Sequence, residues 1–240
     1  MKKLFLLTAT LGLAFVISGC SKKTKTEIAE ISYKKEDSID MFKNCKDKGG
    51  LYIRYKCNDI YDGARIFEYA ANKDLYMYNY YTKVYTDLSD PTKCVTTVLE
   101  HGEWVTEEMV YANTDGITKE DLEEQEIDNL VNAYLFYFSE QNYFGQYTLT
   151  KTTAKVIGRT CDKYTYTVND RFGIESGTDR SYSLEYTESI YVDRELGFCL
   201  GEEMFQTLTY DDDQTKKEIN TYFMCVELKL KYDVVIPTNK

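Results

Sequence analysis

The stretch CLGEEMFQTLTYDDDQTKKEINTYFMCVELKLKY, Cys199 to Tyr232, decides the fold. Two runs rich in Tyr, Phe, Thr, Val, Ile and Leu flank the polar Asp211 to Gln214, which is the pattern of two strands joined by a short turn. Strands joined so closely must be antiparallel. With the turn centred on Asp212, Phe205 faces Ile219, Leu200 faces Met224 and Cys199 faces Cys225, so apolar residues match across the strands as sheet pairing prefers.

The same alternation extends outward in both directions. Leu51, Ile53, Tyr55 and Cys57 share one face of a half-buried strand, and alternating runs follow at Arg65 to Ala71, Leu75 to Tyr81, Cys94 to Leu99 and Glu103 to Thr106. Further strands are expected near Tyr147 to Ile157, Thr160 to Val168 and Tyr182 to Asp193, with turns at Gly158-Arg159 and Arg194 to Gly197. Between the two groups the period changes. Leu122, Ile127, Leu130, Val131, Tyr134, Leu135 and Phe138 recur at helical spacings after the N-cap candidate Thr118, which predicts one amphipathic helix from Lys119 to Ser139. At about 1.5 Å per residue it is roughly 30 Å long. A shorter helix is expected in DSIDMFKNCKDKGG, with Asp37 and Ser38 as N-cap candidates and Gly49 and Gly50 ending it. The expected architecture is mainly β (α+β): a strongly curved antiparallel meander, a half-barrel, with the short helix before it and the long helix across its concave face.

At the N-terminus, Lys2 and Lys3 precede an uncharged run from Leu4 to Ile17, the pattern of a secretory signal segment. The run is too short for the roughly 20 helical residues that span a bilayer. Its end, Ile17-Ser18-Gly19-Cys20, resembles the lipobox of bacterial lipoproteins. That resemblance implies alkylation of the Cys20 thiol by diacylglycerol and cleavage before Cys20, hence a membrane partner reached through an N-terminal lipid on the extracytoplasmic side of a bacterial envelope. The polar stretch that follows reads as a flexible tether. The expected organisation is therefore a signal peptide over 1–19, lipidated Cys20 and tether over 20–36, and one domain over 37–240.

The layout of helix, curved antiparallel sheet and covering helix, with GRTCDKYTY (Gly158 to Tyr166) and IYVDRELGF (Ile190 to Phe198), resembles the LolA/LolB-like group of periplasmic and lipoprotein domains. The resemblance implies an apolar cavity that holds acyl chains. In this chain the cavity wall would come from Leu130, Val131, Tyr134, Leu135 and Phe138.

The formal charge is -11, and loss of Lys2 and Lys3 with the signal makes it -13, which argues against nucleic acid as a partner. His101 is the sole histidine and sits in a hairpin turn, so nucleophilic chemistry of the Cys/His or Ser/His kind has little to work with. Asp211-Asp212-Asp213 lacks the rest of a calcium loop, and no glycine-rich phosphate loop is present. Neither metal nor cofactor is expected, and catalysis is unsupported. Beside Cys20 stand six cysteines, Cys45, Cys57, Cys94, Cys161, Cys199 and Cys225. An even number in an exported domain favours disulfides, with Cys199-Cys225 singled out by the hairpin, while buried free thiols remain the alternative. Two functional readings follow: a non-enzymatic envelope lipoprotein enclosing a lipid or other apolar ligand, or a structural lipoprotein with a filled core that meets an envelope protein partner.

Overall fold

The computed structural model describes residues 27–28, 33–59, 63–79, 81–114, 116–130, 148–175 and 177–238. A pair of residues, Glu27–Ile28 (β1), precedes helix α1 at Lys35–Gly49. The strands β2 (Leu51–Asp59), β3 (Gly63–Asn72), β4 (Leu75–Asn79), β5 (Lys83–Asp87), β6 (Lys93–Glu100) and β7 (Glu103–Val110) follow. Helix α2, Lys119–Leu130, comes next. The second group is β8 (Thr150–Val156), β9 (Arg159–Ile174), β10 (Ser181–Asp193), β11 (Cys199–Tyr210) and β12 (Lys216–Lys229). All twelve form one curved, unclosed antiparallel sheet in the order β1-β8-β9-β10-β11-β12-β2-β3-β4-β5-β6-β7.

Two meanders are thus fused where the last strand pairs with the first long one, Cys225 opposite Tyr55 and Phe223 opposite Cys57. That contact, between residues far apart in the chain, is the join local alternation cannot display. Sequence periodicity also misses β5, where the adjacent Tyr85 and Thr86 are both buried and no alternation results. Tight turns behave as their residues allow: His101 and Gly102 both take positive φ (50° and 89°), as do Ile157 and Gly158 (47° and 82°), the mirror-image turn geometry that matches strand twist. The second pair moves the expected Gly158-Arg159 turn back by one residue.

The helix-covered face holds the main core: Phe42 from α1 and Ile127 from α2 pack with Leu51, Ile53, Tyr55, Tyr69, Tyr76, Leu200 and Cys225 from the sheet. Phe42 has no exposed surface, a burial that contributes roughly 1.5–3 kcal/mol. The reverse face carries two smaller clusters. One joins Tyr52, Ala70, Met77 and Tyr85 to Val234 of the C-terminal segment. The other joins Tyr164, Tyr166, Val168, Tyr186, Ile190, Val192 and Cys199, with Tyr33 against it.

Four expectations change. Helix α1 starts at Lys35, not beyond Asp37. Its first turn carries Glu36 and Asp37 where the helix dipole favours acids, and Ser38 bonds backward to the Lys34 and Gly197 carbonyls (3.3 and 3.2 Å) instead of capping. Part of the stretch read as tether is structured, because Glu27 and Ile28 pair with Lys151 and Thr150 of β8. The register of the last hairpin is shifted by one. The Tyr210 N–H bonds to the Thr215 carbonyl (2.9 Å), which closes a four-residue loop centred between Asp212 and Asp213, so Phe205 faces Asn220, Gln206 faces Ile219 and Gly201 faces Met224.

The fourth change follows from the third. A one-residue slip moves a side chain to the other face. Cys199 therefore lies in the reverse-face cluster while Cys225 lies in the main core, and the expected Cys199-Cys225 disulfide is replaced by two free thiols. Cys45, Cys57, Cys94 and Cys161 are free as well. Burial pushes the Cys161 thiol up to about 11 and Cys225 up to about 12, which makes both poor nucleophiles.

Candidate functional site

The site expected from sequence lies along α2. Its start is built as read: the Asp121 N–H bonds to Thr118 Oγ1 (3.2 Å), and Thr118 N–H bonds back to Asp121 Oδ2 (2.8 Å), a reciprocal cap. Leu130 is the last helical residue described. Val131, Tyr134, Leu135 and Phe138 lie outside the described residues, as does the rest of the helix predicted to Ser139.

Over the described turns, α2 meets the sheet through a mixed face. Ile127 is buried in the core and Leu122 packs against it. Beside them on the same helical face, Glu123 and Glu126 also point inward. Glu123 Oε1 accepts from Lys46 Nζ of α1 at 2.7 Å and from the Tyr76 hydroxyl of β4 at 3.3 Å. Lys46 also donates to the Tyr76 hydroxyl (3.1 Å), which closes a triangle around a lysine only 4% exposed. Glu126 accepts from Thr86 Oγ1 of β5 at 2.7 Å, and Lys119 pairs with Asp74 at 2.8 Å. A helix whose apolar stripe alone met the sheet would leave its acids to solvent. Two of them are what holds it down.

Electrostatics follow from this burial. The Tyr76 phenol is raised, first by burial and then by the Glu123 charge. Burial raises the Glu126 carboxyl, with the Thr86 bond acting the other way. Between these two anchors the buried Tyr69 hydroxyl, close enough to feel Glu126 and Tyr76, has no hydrogen-bond partner among the described residues.

A cleft of about 800 Å³ opens between the helices, with Ile39 and Ile127 as its apolar part and Lys43, Lys73, Glu120, Glu124 and Asp128 on its walls. A second, of about 410 Å³, lies on the far side of α2, where Leu122, Gln125 and Glu126 face Val84, Cys94 and Met109. Both lie within the range of ligand pockets, roughly 300–1,000 Å³, but carry more charge than an acyl-chain cavity calls for.

The remaining constellations resolve into structure. The acidic turn is tied to Arg180, whose Nε and Nη2 reach Asp212 at 2.9 and 2.7 Å. Glu202 and Glu203, neighbours in β11, face opposite sides as strand geometry requires: Glu202 lies opposite Ile190, and Glu203 accepts from the Tyr191 hydroxyl. On the reverse face, Glu188 accepts from the Tyr166 hydroxyl, and burial together with the Glu188 charge pushes Glu202 up to about 7. This acid pair was not singled out in the sequence; two carboxylates on diagonal positions of neighbouring strands become visible only once the register is known. Tyr76 packs in the core, Tyr78 against it, and Tyr80 lies outside the described residues.

Compared with known proteins, the chain matches no family profile and no curated protein sequence. Among solved structures it is similar to MucB in complex with MucA(peri), at 12% identity and a TM-score of 0.27 over 82% of this chain. It spans 55% of that protein's length. It is also similar to a LolA superfamily protein, NE2245 from Nitrosomonas europaea (6% identity, TM-score 0.18, 83% of this chain and 94% of that one). A DUF1329 family protein from Desulfovibrio piger is similar at 11% identity and a TM-score of 0.23, over 85% and 93% of the two chains. At these TM-scores the likenesses carry no inference about activity.

Proposed function

We propose that the chain is a non-enzymatic lipoprotein of the bacterial envelope, anchored through Cys20, which binds a lipid or other apolar ligand between its helices and the sheet. The supporting observation is the way α2 is seated. It is held over the sheet by Lys46-Glu123-Tyr76, Thr86-Glu126 and Lys119-Asp74, with clefts of about 800 and 410 Å³ on its two sides, where an ordinary core helix has a continuous apolar seam. In this reading the stripe continues through Leu130, Val131, Tyr134, Leu135 and Phe138 as the apolar wall, and the charged rim receives a polar headgroup. The protein carrying Cys20→Ala is expected to leave the membrane fraction and to take up a fluorescent fatty acid or phospholipid. Val131→Trp or Leu135→Trp blocks uptake with the circular dichroism spectrum unchanged. Uptake unaffected by either substitution refutes the cavity.

A second reading, an interaction module with a filled core, is favoured by a separate observation. Phe172, Ile174 and Phe205 are 77%, 69% and 45% exposed and lie on one sheet face, since Phe172 pairs with Ser183, Ile174 with Ser181 and Phe205 with Thr187. Absence of probe uptake together with retained membrane anchoring selects this reading.

A further inference from the structure

We infer that the domain stands on the bilayer by its β1–β8 edge, with the anionic headgroup surface against that edge and the acidic β7 edge directed away from the membrane. This rests on lipidation of Cys20.

The first argument is reach. β1 begins at Glu27, and its pairing with Lys151 and Thr150 fixes the chain to the margin of the sheet. Only Ser21 to Thr26 separate it from the lipidated residue, a span of roughly 25 Å even when fully extended. Tyr33 returns to the same margin, where its hydroxyl donates to Asp162 Oδ2 (2.9 Å); the same oxygen holds Lys151 Nζ (2.9 Å), and Asp162 Oδ1 holds Arg194 Nε (2.6 Å). β7 lies at the other end of the sheet order, eleven strands from β1.

Charge makes the second argument, and it is independent of the first. Thr150 to Lys163, covering β8 and the start of β9, holds Lys151, Lys155, Arg159 and Lys163; Lys151 is paired with Asp162, Arg159 with Asp193 and Glu195, and Lys163 with Glu203, so the cations left to meet an anionic surface are Lys155 and those of the tether. Lys155 is exposed, and the tether adds Lys22, Lys23 and Lys25. At the other end, Gly102 to Leu130 holds ten acids and one lysine. Near a bilayer bearing anionic lipid, cations are attracted and acids repelled within about a Debye length, roughly 8–10 Å. The edge that the tether forces to the surface is therefore also the edge that the surface favours. β1 covers only Thr150 and Lys151, so Thr152 to Lys155 form the margin that meets the headgroups, Val156 being buried in the core.

The test uses the full-length lipidated protein in vesicles of phosphatidylcholine alone or mixed with phosphatidylglycerol, read by hydrogen–deuterium exchange. The expected result is severalfold slower exchange over Thr152 to Lys155 on the mixed vesicles, weakened by added salt and by the combined variant Lys22→Glu, Lys25→Glu, Lys155→Glu, whose membrane fraction is unchanged. Equal exchange on the two compositions, or new protection at Glu103–Val110 instead, overturns the orientation while leaving the anchor standing. A protein that neither takes up a palmitate analogue at Cys20 nor partitions into vesicles overturns the anchor, and the orientation with it.

Discussion

Replacing Lys46 with Met is the sharpest probe of how α2 is held. The lysine stem is packed and its side chain 6% exposed, so Met keeps most of the apolar contact and deletes the charge. What is lost is the bond to Glu123 at 2.7 Å and the bond to Tyr76 at 3.1 Å. Hydrogen bonds involving a charged group contribute about 1.5–3 kcal/mol each, and removing one member of a buried pair adds the cost of stranding the other. Glu123 is 31% exposed and regains water when its partner goes, which keeps the total near the low end for two bonds, about 3 kcal/mol. For a domain of this size that corresponds to a fall in Tm of about 6–12 °C. Urea unfolding followed by circular dichroism measures it, with an unchanged slope to certify that the unfolded reference is the same. Glu123→Gln alone should cost about 1 kcal/mol, and the double variant should fall short of the summed costs by at least about 0.5 kcal/mol, because the two side chains share one interaction. A Lys46→Met protein within about 0.5 kcal/mol of the parent, or strictly additive losses, refutes the picture of a helix anchored by charge.

Two further outcomes follow from the coordinates. Gly50 adopts φ 84° and ψ 162°, a region that essentially only glycine occupies, and a Cβ there would stand 2.0 Å from the Tyr232 carbonyl oxygen, so Gly50→Ala should destabilise by about 3 kcal/mol or more in the same unfolding assay. Because the folded state raises Glu202 from the ordinary carboxyl value to about 7, it holds that proton more tightly than the unfolded chain does. The resulting stability is full below about pH 4.5, is lost as pH rises through 7, and is removed from the profile by Glu202→Gln, which unfolding midpoints between pH 4.5 and 8 will register.

Much of the sheet was legible because its strands are long and half-buried. Leu51, Ile53 and Tyr55 alternate with Arg54 and Lys56, and the two faces of β2 show that difference in burial. The turn at His101-Gly102 was legible because glycine supplies the positive φ that a two-residue hairpin needs. Register was not. Whether the loop after Tyr210 centres on Asp212 or half a residue later depends on one backbone bond, Tyr210 N–H to Thr215, and the register it sets places Phe205 opposite Asn220 and Ile219 opposite Gln206, so matching apolar residues across the strands points to the wrong register. The even count of cysteines misled for a related reason: pairing needs two thiols on one face, and face is what a one-residue slip exchanges. The join between β12 and β2 was hidden because neither strand's own pattern names its neighbour, and a contact at that sequence separation is settled only by closure of the whole sheet.

The candidate site shows the same limit in its electrostatics. Sequence periodicity divides α2 into an apolar stripe and an acidic face, yet Leu122, Glu123, Glu126 and Ile127 form a single helical face, and that is the face turned to the sheet. The carboxylates look misplaced until Lys46, Tyr76 and Thr86 are brought beneath them by α1, β4 and β5. A helix seated in this way differs from one seated on leucines. Its contacts are few, directional and open to competition from water, salt or a ligand's polar group, whereas an apolar seam can be replaced only by another apolar surface.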